Sequence, residues 1–376
     1  MLSTRLRSVK LWVLFAALVL TVSSSRAQTS TGTIRVAIVG LVHGHVAGFL
    51  PTLKDHPAVQ LVGIEDPDKA LAQRYQRHYH LQPSLFYTSL DTMLERTHPD
   101  AVLVYTAVSD HRRVIEAAAA HHVSVMVEKP LATSLADALA IRTAARTNHI
   151  QVLVNYETTW YASNRAAYNA VQDGTLGTLR KVIVRDGHNG PKEIGVQPEF
   201  LAWLTDPQKN GAGALFDFGC YGADLVTWLM HGETPVSVTA VAQTDKPAEY
   251  PHVDDDATII VRYPGMLAVL LPSWNWSYSI KDMALYGTKG DAVTVGLSKI
   301  RMRVGDAPPR ITTAPPIPPP NADPMQYLAA VLHGKLVPKG DLTALDTNII
   351  VMQILDAARE SVRTGRTIQL HPLPKE

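Results

Sequence analysis

The sequence contains a single cysteine, Cys220, and no block of like charge. One cysteine excludes an intramolecular disulfide, so the folded chain has to be stabilised by its hydrophobic core. Its 35 lysine and arginine residues nearly balance 34 aspartate and glutamate residues. Without a basic patch there is no electrostatic footprint for nucleic acid, and we expect a small, neutral molecule as the partner.

No pattern typical of a metal site is present either. The chain has 15 histidines, but no H-E-x-x-H motif and no Cys/His cluster. Zinc sites place their ligands at such short spacings. The sequence therefore predicts no metal.

The first 27 residues are typical of a secretory signal peptide. A positively charged start at residues 5–10 precedes an apolar run at residues 11–22, and Ser25 and Ala27 supply small residues for a signal peptidase. The run is shorter than the roughly 20 residues of a membrane span. No arginine pair precedes it, so a Sec-type signal is favoured over the twin-arginine route. We predict cleavage after Ala27, export to the periplasm or medium and no stable membrane span afterwards. An uncleaved anchor is the alternative.

Strands and helices alternate over residues 33–156. Predicted strands lie at residues 34–39, 61–64, 101–105, 123–127 and 151–155, and predicted helices at residues 46–53, 114–120 and 135–147. Such alternation produces right-handed βαβ units and a parallel sheet. We predict a Rossmann domain, a doubly wound α/β sheet, over residues 33–156.

The pattern changes over residues 157–370. Strands are predicted at residues 181–184, 236–241, 257–263, 267–271 and 283–286, and helices at residues 164–172, 220–230, 324–332 and 341–364. Closely spaced strands without intervening helices are typical of an antiparallel sheet. The proline-rich residues 308–320 are predicted to be an extended surface segment. We predict an α+β domain on a large, open, mostly antiparallel sheet.

A glycine-containing turn follows the first predicted strand. In a dinucleotide-binding fold, the diphosphate approaches backbone N–H groups of this turn. The usual glycine spacing would occupy positions 40, 42 and 45, of which only Gly40 fits. The residues that we assign to the diphosphate are Gly40, Val42, His43, Gly44 and His45.

Asp66 follows the second predicted strand, 26 residues after Gly40. Its carboxylate can accept hydrogen bonds from an adenosine ribose diol and would repel a 2′-phosphate, which favours NAD over NADP. An ordinary βα turn with a solvated acid is the alternative for Gly40 and Asp66 together.

Glu128, Lys129 and Pro130 end a predicted strand. Ligands of doubly wound sheets bind at the carboxyl ends of strands, so we expect Lys129 to point toward the nicotinamide. Partial burial beside that positively charged ring would lower the pKa of Lys129 and permit proton exchange near neutral pH.

A third motif spans residues 211–224. Asp217 and Tyr221 are four residues apart, which places them side by side if a helix begins near Phe218. A helix-capping aspartate and a packing tyrosine are the alternative.

Together these motifs resemble the Gfo/Idh/MocA oxidoreductases, a family named after glucose–fructose oxidoreductase, inositol dehydrogenase and a rhizopine-catabolism protein. The matching residues are Gly40 and its turn, Asp66, residues 106–111, residues 128–130 and residues 213–224. The resemblance implies an NAD cofactor, a sugar or cyclitol substrate, and homodimers or homotetramers built through the open sheet. The residues that it adds to the cofactor site are Thr106, His111, Glu128 and Lys129.

The resemblance also implies catalytic roles. Lys129 would donate a hydrogen bond or proton at the reacting hydroxyl, and Asp217 would position the substrate or relay a proton. Many members have histidine at the position of Tyr221. A tyrosine there resembles the glucose–fructose oxidoreductase branch, in which tyrosine is the acid/base. A nearby Lys129 ammonium would lower the pKa of Tyr221.

Aromatic and polar residues beyond the first sheet could line a sugar pocket, although burial in the core is the alternative for each. The candidates are Tyr156, Trp160, Tyr161, His188, Asn189, Trp203 and Trp274.

The function favoured is NAD-dependent hydride transfer at a sugar or cyclitol CH–OH carbon. Two alternatives stay open: an NAD-dependent glycosidase or lyase with a closed redox cycle, and a cofactor-free sugar-binding or partner-binding protein.

The signal peptide gives a first testable prediction. Protein recovered from the periplasm or medium of a bacterial host should begin at Gln28, as measured by intact mass. Ala27→Leu should block cleavage, because the peptidase requires a small residue there. Arg26→Lys, one position away, should be processed normally; equal processing of both variants would contradict the assignment.

Overall fold

The computed structural model describes residues 32–373. The predicted signal peptide, residues 1–27, lies outside the described residues. Among the helices that are described, none is both long enough and apolar enough to cross a membrane.

A parallel sheet forms the first half of the described chain. Its six strands are β1 (Ile34–Val39), β2 (Val59–Glu65), β3 (Phe86–Tyr87), β4 (Ala101–Val104), β5 (Ser124–Glu128) and β6 (Val152–Asn155). Their order is β3-β2-β1-β4-β5-β6, and all neighbours are parallel. The strand order reverses between β1 and β4, because the chain first adds β2 and β3 on one side of β1 and then β4 to β6 on the other; doubly wound sheets bind ligands at this point. The predicted fold class is confirmed for this half.

Helices cover both faces of this sheet, so β4 and β5 are buried on both sides, as the apolar sequence of β4 and the apolar centre of β5 require. In the described residues these helices are α1 (His45–Phe49), α2 (Lys69–His78), α3 (Leu90–Thr97), α4 (His111–Ala120) and α5 (Leu135–Thr147). The helix predicted at residues 46–53 is wrong in its second half. There α1 gives way to a 3-10 turn, Leu50–Asp55, because Pro51 cannot donate a helical hydrogen bond.

The sequence prediction missed α2 and α3. Both begin at a capping side chain: Asp68 accepts hydrogen bonds from the backbone of α2, and Ser89 does so for α3. Such caps are a sequence signal that could have located both helices.

A nine-stranded sheet forms the second half of the described chain. Its strands are β7 (Leu179–Gly187), β8 (Ser237–Gln243), β9 (Asp256–Tyr263), β10 (Met266–Ser273), β11 (Ile280–Gly287), β12 (Gly290–Val295), β13 (Lys299–Val304), β14 (Arg310–Thr313) and β15 (Ile368–Gln369). The order is β14-β13-β12-β11-β7-β10-β9-β8-β15, and only β7 and β10 pair in parallel. The prediction of a mostly antiparallel sheet is confirmed. Strand β14 lies inside the proline-rich segment that was predicted to be extended and at the surface, and it adds an exposed strand to the sheet edge.

The described helices of this half are α6 (Ala162–Gln172), α7 (Pro198–Leu204), α8 (Pro207–Asn210), α9 (Ala214–Asp217), α10 (Gly219–Leu229), α11 (Pro324–Leu332) and α12 (Leu345–Thr364). Helices α6, α9, α10 and α12 pack against the nine-stranded sheet, whereas α11 packs in the core with the parallel sheet. Helix α12 starts later than the predicted residue 341, because Asp341 instead accepts hydrogen bonds in a turn from Thr343 and from the Tyr327 hydroxyl. Every residue of α10 is buried, consistent with a position between the sheet and α12.

Gly213 allows two chain segments to approach closely just before α9. The Gly213 N–H donates to Asp254 Oδ1 at 2.8 Å, and Ala214 N–H donates to the Asp254 carbonyl oxygen at 3.0 Å. A Cβ atom at Gly213 would lie 1.8 Å from that carbonyl oxygen. This position therefore requires glycine.

We predict that Gly213→Ala lowers the free energy of unfolding by at least about 2 kcal/mol, because backbone has to shift to accept the methyl group. Gly48→Ala in α1 is the matched control, since no atom lies within 4 Å of its added Cβ. That change should be neutral or stabilising by up to about 1 kcal/mol. Urea denaturation measures both, and similar values for the two variants would contradict the close approach.

Candidate active site

Lys129 and Asp217 form a buried ion pair between the two halves of the chain. Lys129 follows β5 and donates to Asp217 Oδ1 at 2.6 Å and to its carbonyl oxygen at 3.0 Å. Trp274 Nε1 donates to the other carboxylate oxygen at 2.9 Å. Both charged groups therefore have strong partners that compensate for their lost hydration.

The ion pair corrects the expectation of a lowered lysine pKa. Burial acts to lower the pKa of Lys129, but the attraction of the Asp217 carboxylate outweighs it and holds this pKa above its ordinary value. Burial likewise acts to raise the pKa of Asp217, but Lys129 holds it below its ordinary value. Both groups are charged at neutral pH.

Tyr221 lies beside this pair, at the start of α10. Its ring centre is 5.0 Å from Lys129 Nζ and 4.8 Å from Lys281 Nζ. Despite two ammonium groups, burial raises the pKa of Tyr221 well above its ordinary value, so the expectation of a lowered pKa is wrong. The phenol is neutral at physiological pH and suited to donating a hydrogen bond.

These residues open onto a cavity of about 530 Å³, a size typical of small-molecule sites. Two of the candidates for a sugar pocket, Tyr161 and His188, lie in its wall. Sequence analysis missed two charged wall residues, Glu157 and Lys281, which pair with each other. The Tyr161 hydroxyl also donates to Glu157. No local pattern marked either residue, since an isolated lysine on a strand usually faces solvent.

Five of the seven candidates for a sugar pocket do not line this cavity: Tyr156, Trp160, Asn189, Trp203 and Trp274. Tyr156 is buried in the core, where its hydroxyl donates to Asn348 Oδ1 at 2.9 Å. Trp160 donates its ring N–H to Asn155, next to β6. Asn189 lies outside the cavity wall, where its carbonyl oxygen accepts from Lys246. The core alternative therefore describes Tyr156 better than a sugar contact.

Gly40, Asp66 and Thr106 converge at the carboxyl edge of the parallel sheet. Gly40 has a φ of +82°, and a Cβ there would lie 2.6 Å from Thr106 Cγ2. The next residue, Leu41, donates its backbone N–H to Asp66 Oδ2 at 2.7 Å. This arrangement fits the adenosine end of a dinucleotide, with the acid at the end of β2.

The diphosphate part of the turn is covered by α7. Trp203 Nε1 donates to the Val42 carbonyl oxygen at 3.2 Å, and the His43 ring lies 4.8 Å from the Phe200 ring. A Cβ at Gly44 would lie 2.9 Å from Phe200, so the turn and α7 are in direct contact. Side chains of α7 therefore occupy the space beside Val42 and His43, whereas Gly44 and His45 open onto the cavity.

Glu128 and His111 support the turn around Lys129. Glu128 lies 3.0 Å from His45 Nδ1 and accepts from Asn155 at 3.3 Å. His111 Nδ1 lies 3.1 Å from the Pro130 carbonyl oxygen, and burial lowers the pKa of His111 to about 4. The neutral ring donates to that carbonyl and fixes the cis Lys129–Pro130 segment. His111 thus positions Lys129 from the core.

Two family descriptions match this chain. Residues 34–156 match the oxidoreductase family with an NAD-binding Rossmann fold, and residues 164–293 match the GFO/IDH/MocA C-terminal domain. The two matches occur in the order of the two sheets.

Curated relatives are similar to part of this chain. Trans-1,2-dihydrobenzene-1,2-diol dehydrogenase of Macaca fascicularis is 22% identical over 61% of this chain and 64% of its own length, slightly less than two thirds. The dTDP-3,4-didehydro-2,6-dideoxy-alpha-D-glucose 3-reductase of Streptomyces antibioticus is 27% identical over 50% of this chain and 54% of its own length.

Solved structures share the fold over nearly the whole chain. An aldose-aldose oxidoreductase from Caulobacter crescentus, complexed with glycerol, has a TM-score of 0.76 at 24% identity and covers 90% of this chain and 100% of its own. An inositol dehydrogenase homolog from Azotobacter vinelandii, complexed with NAD+, has a TM-score of 0.77 at 19% identity and covers 90% of this chain and 98% of its own.

The buried ion pair predicts an unusual pH dependence. Lys129→Met should lower the free energy of unfolding by about 3–5 kcal/mol at neutral pH, because the Asp217 carboxylate stays buried without its partner. Burial alone would then raise the pKa of Asp217, so the deficit should shrink as the pH falls and the carboxyl becomes protonated. In the unaltered chain this pKa is lowered, so its contribution to stability is lost only below about pH 4.

Urea denaturation at mildly acidic and alkaline pH measures this difference. Lys281→Met is the control, since its partner Glu157 is partly exposed and the pair should contribute at most about 1 kcal/mol. If the loss of unfolding free energy in Lys129→Met did not depend on pH, Asp217 would not be a buried, ionised carboxylate.

Proposed function

This chain belongs to the Gfo/Idh/MocA oxidoreductase family, and on that basis we propose that it transfers a hydride between NAD and a CH–OH carbon of a sugar or cyclitol. The observation that carries the proposal is the Lys129–Asp217 ion pair, which lies at the end of β5 and in the wall of the cavity. Tyr221 and His188 add polar groups to the same wall. Ligands of doubly wound sheets bind at this edge.

The protein supplies binding and charge around the reacting oxygen. NAD, when bound, accepts or supplies the hydride. Lys129 is kept charged by Asp217, so it stabilises negative charge on the substrate oxygen and can protonate that oxygen when a carbonyl is reduced. Tyr221 is a neutral phenol and serves as a second hydrogen-bond donor.

His188 is also a donor in this site. Its Nδ1 accepts from the Gly190 N–H at 2.9 Å, and burial lowers the pKa of the ring. The neutral ring therefore carries its proton on Nε2, which can donate to a substrate hydroxyl.

A closed redox cycle is the second candidate function. Contact between α7 and the turn residues Val42 and His43 would slow cofactor exchange, which suits a cofactor that is retained and regenerated in each turnover. We propose export to the periplasm or medium on the basis of residues 1–27, and free NAD is scarce there. An NAD-dependent glycosidase or lyase would need only one retained cofactor.

We also propose a homodimer or homotetramer formed through the open face of the nine-stranded sheet. One row of paired residues crosses that face, and none of its members is fully buried in the single chain. The row consists of Ile260, Val269, Ile183, Ala284 and Val293. An uncovered apolar row of this kind is typical of a protein interface.

Lys129→Ala should reduce turnover by about 10²–10⁴-fold while dinucleotide binding persists, because the lysine acts on the substrate oxygen. Bound dinucleotide is measured by absorbance and mass spectrometry on the purified mature protein, and turnover by NADH and sugar release. Lys299→Ala, at an exposed position of β13, should keep full activity.

The products distinguish the candidate functions. Net NADH with free sugars or cyclitols indicates a dehydrogenase, whereas free sugar from aryl glycosides without net NADH indicates the closed cycle. Absence of dinucleotide binding at millimolar concentration would overturn both and leave a sugar-binding protein. Full activity in Lys129→Ala would contradict the role of this lysine.

A further inference from the structure

Three side chains of metal-binding type converge at the turn after β1. One ring nitrogen each of His43 and His45 and one carboxylate oxygen of Glu128 lie within 4.8 Å of one another. The His45 Nδ1 to Glu128 Oε2 distance is 3.0 Å. Two ligands of a tetrahedral zinc ion at about 2.0–2.1 Å are themselves about 3.3–3.4 Å apart. This pair thus needs to separate only slightly to hold an ion.

His43 contributes a buried ring to the cluster. Its side chain is 1% exposed, and its Nε2 has no hydrogen-bond partner among residues 32–373. Its Nδ1 only accepts a 3.2 Å hydrogen bond from the His45 backbone N–H. The neutral ring therefore carries its proton on Nε2 and its lone pair on Nδ1, where an ion would replace only this one hydrogen bond.

The charge states of the cluster suit a cation. Burial lowers the pKa of His43 well below its ordinary value, which keeps the ring neutral and able to donate a lone pair. Glu128 is buried, but the neighbouring His45 and Lys129 hold its pKa below the ordinary value, so it is a carboxylate. The positive charge of Lys129 is offset by Asp217.

The cluster is also accessible from the cavity. The His45 side chain is 43% exposed and lies in the cavity wall together with Lys129. Two imidazoles and one carboxylate form the ligand set of catalytic zinc sites that keep a position open for water or substrate. An ion held here would share the cavity with the substrate.

We propose that His43, His45 and Glu128 bind a divalent metal ion of the Zn²⁺ class, with an open coordination position that faces the cavity and takes an oxygen of the substrate. A bound ion would polarise that oxygen from the turn, while Lys129 contacts it from the end of β5. The site goes beyond the proposed hydride transfer and does not depend on it. The sequence showed no metal motif because Glu128 lies 83 residues after His45.

The test measures metal binding directly on the untagged mature protein after treatment with a chelator. Equilibrium dialysis against micromolar ZnCl₂, with elemental analysis, should give one Zn²⁺ per chain. Titration with CoCl₂ should produce visible ligand-field bands, which report nitrogen and oxygen coordination. His45→Asn and Glu128→Gln should each weaken binding by at least about tenfold. Both variants are checked for folding by circular dichroism.

His188→Asn is the matched control, because it removes an imidazole from the same cavity but outside the cluster. Its Zn²⁺ affinity should equal that of the unaltered protein. Two results would overturn the site. One is a lack of stoichiometric Zn²⁺ binding by the unaltered protein at micromolar concentration. The other is Zn²⁺ affinity in His45→Asn and Glu128→Gln equal to that of the unaltered protein. Since dinucleotide binding and turnover are measured separately, failure here leaves the proposed oxidoreductase function standing.

Discussion

A buried ion pair between Lys129 and Asp217 connects the end of the parallel sheet with the segment that enters α10. Each charge is removed from water and compensated by the other, so neither can be lost without leaving an uncompensated charge in the interior. Around this contact the remaining groups of the site are fixed. Trp274 holds the carboxylate, and His111 holds the turn after Lys129. The cavity therefore forms where the two sheets meet.

The same contact determines what the site can do chemically. An ammonium stabilised by a carboxylate remains charged, and a buried phenol remains neutral, so both groups act as donors toward an oxygen. Chemistry that builds negative charge on a substrate oxygen is favoured by this arrangement. Hydride transfer at a CH–OH carbon is chemistry of that kind.

The turn after β1 departs from the glycine-rich pattern in a way that has structural consequences. Val42 and His45 occupy positions where glycines would leave room for a diphosphate, and His43 packs between the turn and α7. The same histidines bring ligand atoms next to Glu128, where a glycine turn would offer only backbone groups.

The sequence by itself determined the parallel sheet, the positions of Asp66, Lys129 and Asp217 at strand and helix ends, and the mostly antiparallel second sheet. These features are encoded locally, in apolar periodicity and in the residues that end each element. Helices α2 and α3 were also encoded in this way, by their caps. Only the tertiary structure decided the pKa of Lys129 and Tyr221, the burial of Tyr156, and the meeting of His43 and His45 with Glu128. Each of these depends on segments far apart in sequence, whose approach sets burial and charge at a point that no local pattern describes.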